Sequence, residues 1–452
     1  MFDLSDTICA ICTPKGTGAI SAIRISGSKS WNIAEKIFSL SNSQFAFDHM
    51  HALHGYIKEG EKIIDEVILL PYKAPKSFTA EDTIEIFCHG GLQVTSQILD
   101  VCLNNGARQA KNGEFTFRAF VNGRIDLTEA EAINEIIAAD NEKAVYIASE
   151  TLSGSLKKKV SQFREKLFDL ITSIESSVEF PMDVPATSNE EIISNLRDLK
   201  LEINELIKCS KEGQIIRDGI KISIIGPPNA GKSSLLNQLL ESERAIVSEE
   251  PGTTRDTIEE KIIIDGCPIV LIDTAGIRDK ALSSSEKFGI ERSKSTVQKS
   301  DIVLAVFDII DGHENELFTG LLKNKSKIII GNKIDLLNEK AVNKNGYDIL
   351  ISAKNGTNID KLKKLIVKKT NSTNSLLSTH HSPLYINQRQ KELLIQCNFS
   401  IESAIDLLNQ NISEDLISDE LKNAVSKLDE ISGKSISDSV IKNIFAKFCI
   451  GK

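Results

Sequence analysis

Lys221-Ile222-Ser223-Ile224-Ile225-Gly226-Pro227-Pro228-Asn229-Ala230-Gly231-Lys232-Ser233-Ser234-Leu235-Leu236-Asn237 is the stretch on which the fold turns. Its first five residues are an apolar run of strand length, and Ser234 to Asn237 continue as a helix, so Gly226 to Ser233 is the loop between them. The spacing G-x-x-x-x-G-K-S predicts a phosphate-binding loop. Its glycines let backbone N–H groups close around phosphate oxygens, Lys232 places its charge on the β and γ phosphates, and Ser233 offers a hydroxyl to Mg²⁺. Asn229, Ala230, Gly231, Lys232, Ser233 and Ser234 are the expected contacts on this loop.

Further along, Pro268 to Ile272 reads as a second buried strand ending in Asp273-Thr274-Ala275-Gly276. There Asp273 would hold Mg²⁺ through water and the Gly276 N–H would sense a γ-phosphate. Between the two motifs, Pro251-Gly252-Thr253-Thr254-Arg255-Asp256 offers two hydroxyls, Thr253 and Thr254. Either fits a switch that closes on Mg²⁺ when the γ-phosphate is present. Lys327 to Ile330 leads into Gly331-Asn332-Lys333-Ile334-Asp335. A carboxylate at Asp335 accepts from guanine N1–H and the 2-amino group, which adenine lacks, so the nucleotide predicted for Asn332, Lys333 and Asp335 is GTP. Tyr347 to Ile351 then presents Ser352-Ala353-Lys354, whose backbone can donate to guanine O6. Four motifs in this order, each at a strand end, define a doubly wound G domain. One residue departs from the pattern. Ras-type enzymes carry a water-orienting glutamine after the D-x-x-G glycine; here it is Ile277, which cannot orient water. Glu286 is the candidate replacement, its plain alternative being a solvated helix carboxylate.

Outward from this core, strands alternate with helices from about 217 to 372, the α/β signature. Before it, Val145, Ala148, Leu152, Leu156, Val160, Phe163, Leu167, Leu170, Ile174 and Val178 recur at helical steps. A second helix starts at the capping box Ser188 and Glu191 and carries Ile192, Leu196, Leu199, Ile203 and Leu206 on one stripe. The polar run Thr370 to Ser375 predicts a boundary, after which helical periodicity resumes. The expected organisation is a small α+β domain over 1–120, a helical domain over 121–216, the G domain over 217–372 and a second helical part over 373–452. The G domain is thus inserted into a helical one.

At 452 residues and 41% hydrophobic content, two or three cores are expected. The acidic N-terminus lacks the basic start of a secretory signal and no apolar run reaches membrane-span length, so a cytoplasmic location and no membrane are predicted. Cysteines are scattered, and the one close pair, Cys9 and Cys12, lies in an apolar stretch, which favours buried strand positions over a metal or redox site. A net charge of −9 offers no nucleic-acid footprint.

The chain resembles the tRNA modification GTPase MnmE (TrmE) family. The resemblance rests on residues outside the G motifs: Asp6-Thr7-Ile8, Arg24-Ile25-Ser26-Gly27, Ser77-Phe78-Thr79-Ala80-Glu81-Asp82, His89-Gly90-Gly91, Gly113-Glu114-Phe115, Arg118 to Ala132, and Cys449-Ile450-Gly451-Lys452. It implies a folate-binding N-terminal domain like that of the glycine-cleavage T-protein, and a homodimer that joins the FAD protein MnmG in a heterotetramer. By the same resemblance, that assembly would modify C5 of the tRNA wobble uridine. It further implies that Arg24, Glu81, Arg124 and Lys452 contact a tetrahydrofolate one-carbon derivative, 5-formyl or 5,10-methylene, although Arg124 stands where lysine is often found. K⁺ would be held by Asn229 and by the loop containing Ser248, Glu250 and Thr253, with Thr254 and Ser233 on Mg²⁺. Asp273, Thr274, Ala275 and Gly276 would face the γ-phosphate, Glu286 would position water, and Cys449 would take part in the modification chemistry. The competing reading is a GTP-switched ribosome-assembly or translation factor, which has no use for the N-terminal residues or the C-terminal tail.

Overall fold

The computed structural model describes residues 4–40, 48–180, 187–241, 260–265, 267–272, 296–310, 325–337, 346–373 and 384–452. The chain forms two compact units, one of Met1–Ile137, Ser149–Leu201 and Glu392–Lys452, the other of Ala138–Ala148 and Glu202–Lys391.

The first unit is built on a sheet of β1 (Ile8–Ile11), β2 (Ile20–Ser26), β3 (Phe38–Leu40), β4 (Leu53–Glu59), β5 (Lys62–Tyr72), β6 (Thr83–His89) and β7 (Arg108–Gln109), in the order 3-4-5-6-2-1-7. Its neighbours are antiparallel except for β1 and β7. Strand alternation buries Ile23, Ile25, Leu69, Ile84 and Ile86 on one face beneath α1 (Ser30–Ile37) and α2 (Leu92–Asn104). The register places Arg24 opposite Glu85, on the other face. Helices α3 (Glu114–Val121) and α4 (Leu127–Ala138) follow.

The long helical stripe is interrupted. It forms α5 (Glu142–Leu152) and α6 (Ser155–Glu179), parted at Gly154, whose φ of +90° is left-handed. Ile171 rather than Leu170 is buried in α6, and Val145 and Val178 are exposed. In contrast, α7 (Asn189–Asp218) is as expected: the Glu191 N–H donates to Ser188 Oγ, and Ile192, Leu196, Leu199, Ile203 and Leu206 are all buried.

The second unit carries β8 (Ile220–Ile225), α8 (Lys232–Glu241), β9 (Glu260–Ile264), β10 (Cys267–Ile272), β11 (Ile302–Asp308), β12 (Ser326–Asn332), β13 (Ile349–Leu350) and α9 (Ile359–Thr373). The sheet order is 13-12-11-8-10-9, parallel except where β9 pairs β10. Strands buried on both faces explain the near-continuous apolar runs read above. Helix α9 continues through Thr373, so the polar run from Thr370 begins inside a helix, and Thr370 is buried. The chain passes back to the first unit within α10 (Gln388–Asn409), and α11 (Glu414–Ser432) and α12 (Asp438–Phe445) follow. Arg164 of α6 donates to Asp429 of α11 at 2.8 Å. No described helix is long and apolar enough to cross a membrane.

Candidate functional site

In the second unit the parallel strands end together at the loops that carry the chemistry. The loop after β8 holds Asn229 at φ +63° and Gly231 at φ +92°. A Cβ at Gly231 would stand 2.1 Å from Asn332 Nδ2, so only glycine lets the loop approach β12 this closely. Asn332 uses both ends of its buried amide: Nδ2 donates to Ala230 O at 2.8 Å, and Oδ1 accepts from the Ala353 N–H at 2.9 Å. One side chain therefore ties the phosphate loop to the loop expected at the base. Lys232 Nζ donates to the carbonyls of Gly226 and Pro227 at 3.0 and 2.7 Å. Burial pulls its ammonium below the ordinary lysine range, which an anionic phosphate would oppose. Lys333, left-handed at φ +70°, reaches Asp308 at 2.6 Å. Asp335 Oδ1 accepts from Ser352 Oγ at 2.6 Å, and that bond holds its carboxyl below the usual range. Ser233 and Ser234 open α8, and Lys354 lies exposed beside Ala353. Gly231→Ala is expected to weaken GTP binding by about a hundredfold or more, because a methyl is strained at the left-handed φ of this position and displaces the Asn332 amide. Nucleotide titration checks this, and a loss below about threefold would mean the loop tolerates the shift.

In the first unit a second cluster forms on the face of the sheet opposite α1 and α2. Arg24 pairs with Glu85 at 2.8 Å, and its guanidinium lies 4.6 Å from the Phe78 ring and 5.5 Å from that of Phe115. Arg124 lies 5.0 Å from the same Phe78 ring and donates to the Phe78 carbonyl at 2.8 Å. Burial, and then the charge of Arg24, lower its affinity for its proton. Glu81 accepts from Ser26 Oγ at 2.7 Å and from Arg118 at 3.1 Å. The C-terminal tail lies against this region: the Phe115 N–H donates to the Lys452 carbonyl at 3.2 Å, and a Cβ on Gly451 would stand 2.4 Å from Ile11 O. Phe445 and Phe448 anchor the tail among Phe117, Ala119 and Leu127. Cys449 is exposed.

Arg24, Arg124 and Lys452 thus share one region with Cys12, whose thiol burial pushes up while the Arg24 and Lys452 charges oppose it. Cys9 is fully buried in the sheet core, and no metal-binding group of His, Cys, Asp and Glu occurs among the described residues. Reasoning from sequence gave no role to Arg118, Asp6, Glu85 or Phe78. One signal was present: an arginine inside the apolar run Phe115 to Phe120 must find buried carboxylates. Ser248, Glu250, Thr253, Thr254, Asp273, Thr274, Ala275, Gly276 and Glu286 lie outside the described residues.

A phosphate loop after the first strand of a parallel sheet, tied through Asn332 to a loop bearing an ionised aspartate, defines a P-loop GTP-binding domain, here in a chain that also carries an α+β N-terminal unit. Two family models match, described as the MnmE helical domain over residues 127–449 and the GTP-binding protein TrmE N-terminus over residues 7–124. The tRNA modification GTPase MnmE of Thermotoga petrophila is 38% identical over 99% of this chain and 100% of its own length. That of Acetivibrio thermocellus is 40% identical over 99% of each. A solved structure of the G domain of the T. maritima FeoB iron transporter matches 33% of this chain and 98% of its own, at 26% identity and a TM-score of 0.25. The chain belongs to the MnmE family of tRNA modification GTPases. It is a GTP hydrolase.

Proposed function

We propose that the chain is a potassium-dependent GTPase that, as a homodimer partnered by the flavoprotein MnmG, installs a carboxymethylaminomethyl or aminomethyl group on C5 of the tRNA wobble uridine in the cytoplasm. The observation that carries this reading is the seat of the C-terminal tail. Lys452 is held by the Phe115 N–H beside the Arg24 guanidinium, and the Cys449 carbonyl by the Gly113 N–H, an arrangement a pure GTP switch would not need. The residues fit a folate. Arg24 Nη1 is buried with no acceptor among the described residues, and a pterin carbonyl or glutamyl carboxylate supplies one. Arg24, Glu81, Arg124 and Lys452 would hold that folate, which supplies the one-carbon unit when bound. The domain limits proposed are 1–120, 121–216, 217–372 and 373–452. Mass spectrometry of tRNA nucleosides from cells lacking the protein tests the reading: loss of the modified wobble uridine supports it. An unchanged nucleoside profile with defective ribosomes would favour the switch reading.

In the G domain, Mg²⁺ would be held by Ser233 and Thr254, supplying charge on the β and γ phosphates. Neither the arginine finger nor the Ras glutamine has a counterpart in the motifs, so something else must stabilise the transferring phosphoryl group. Asn229, in its left-handed turn, together with Ser248, Glu250 and Thr253 would hold K⁺, while Glu286 positions water. Hydrolysis is therefore expected to run about tenfold to a hundredfold faster in K⁺ than in Na⁺ at equal ionic strength. Glu286→Ala should slow turnover without weakening GTP binding. Equal rates in the two salts would remove the ion from the mechanism.

A further inference from the structure

Arg118, on α3, is fully buried. Its Nη2 donates to Asp6 Oδ1 at 2.7 Å, and its Nη1 to the Asp6 carbonyl at 2.8 Å and to both Glu81 oxygens at 3.1 and 3.2 Å. Glu114, also fully buried, lies 3.5 Å from Nη2. Arg108 closes the ring from outside, donating to Asp6 at 2.6 Å and to Glu114 at 2.6 Å. Those hydrogen bonds hold the Asp6 carboxyl below its usual range, Arg108 contributing first.

Such a network is a poor way to stabilise a fold, because desolvating its charges offsets most of their attraction and apolar residues of similar volume serve as well. Its geometry favours one outcome. Arg108 gives its short contacts to Asp6 and Glu114, and Arg118 gives its shortest to Asp6, with Glu114 farther from it at 3.5 Å. Glu81 receives the longer pair, and its carboxylate is completed by Ser26 Oγ at 2.7 Å, which itself lies 2.6 Å from Thr79 Oγ1.

The backbone tells the same story independently. Ala80, immediately before Glu81, sits at φ +61°, a left-handed conformation that costs a residue with a Cβ. The loop that imposes it is closed by hydrogen bonds from Ser77 Oγ to the Glu81 carbonyl, from the Ala74 N–H to Asp82 and from Asn122 Nδ2 to the Thr79 carbonyl. Strain and buried charge are both spent within one residue of the same carboxylate.

We infer that Arg118 is a positioning residue: with Ser26 and the strained Ala80 it fixes the Glu81 carboxylate in the orientation that receives the folate. This rests on the assignment of Glu81 as a folate contact. Lysine at 118 keeps the charge but offers a single point, which cannot reach Asp6 and Glu81 together.

The test is calorimetric titration of the full-length protein with 5-formyltetrahydrofolate, with GTP binding and the melting temperature as controls. Arg118→Lys is expected to weaken folate binding about tenfold and Ser26→Ala about threefold to fivefold, both with GTP binding unchanged. Should Arg118→Lys fail to fold, Ser26→Ala carries the test, since it removes a donor to the same carboxylate without emptying the core. Ser26→Ala in a Glu81→Gln background should add nothing, because both act on one group, whereas a merely structural role would multiply the losses. Wild-type affinity in Arg118→Lys and Ser26→Ala beside a weakened Glu81→Gln would overturn the positioning role and leave the folate contact standing. Wild-type affinity in Glu81→Gln would remove the contact itself, and the positioning role with it.

Discussion

Asp335→Asn is expected to lower GTP affinity by about two to four orders of magnitude and to raise affinity for xanthosine triphosphate. Asp335 stands at the end of β12, where the left-handed Lys333 turns the chain and Ser352 Oγ donates to one carboxylate oxygen. That hydrogen bond, the first cause of its lowered pKa, keeps the carboxyl ionised at neutral pH and leaves the second oxygen to accept from the base. Guanine presents two N–H donors to it, and hydrogen bonds to a charged acceptor are worth roughly 1.5–3 kcal/mol each. An amide turns one acceptor into a donor facing a donor. Xanthine, with a carbonyl in place of the 2-amino group, restores the match. Because Asp335 is exposed, the melting temperature should hardly move, so competitive titration with the two nucleotides reads recognition and not folding. Unchanged GTP affinity would take Asp335 out of base recognition.

Removal of residues 449–452 is expected to abolish wobble-uridine modification while GTP hydrolysis stays within about twofold of the intact protein. The reason is where the tail is anchored. Phe445, fully buried, meets Phe117 edge-on at 5.4 Å, and Phe448 packs beside it, so truncation after Phe448 leaves the hydrophobic plug in place. The truncation removes the hydrogen bonds of Gly113 to the Cys449 carbonyl and of Phe115 to the Lys452 carbonyl, each worth about 1 kcal/mol. It also removes the exposed Cys449 thiol, and the Lys452 charge that with Arg24 acts on Cys12. The point variant Cys449→Ser should reproduce the loss of modification with the tail still seated. Nucleoside mass spectrometry and a GTP hydrolysis assay on the same preparations decide the matter, since a joint fall of both activities would make the tail structural.

The sequence by itself determined the nucleotide-binding half. Each G motif is a contiguous run of three to eight residues whose chemistry is local: a glycine that must be left-handed, a lysine for phosphate, an aspartate for guanine, each at the end of an apolar strand. The stripe on α7 and its Ser188 cap were legible for the same reason, because helical periodicity and capping act within a few residues. Tertiary structure alone decided the rest. The stripe from 145 to 178 looks unbroken because periodicity does not register the left-handed turn at Gly154, and the polar run from Thr370 reads as a linker because local composition cannot reveal that Thr370 is buried. The joining of the two nucleotide loops depends on Asn332, which bridges residues 102 positions before it and 21 after it. Arg118 meets Asp6 across 112 positions and Glu81 across 37. A buried guanidinium announces in sequence only that it needs carboxylates; which ones it finds is decided when distant segments are brought within hydrogen-bonding distance.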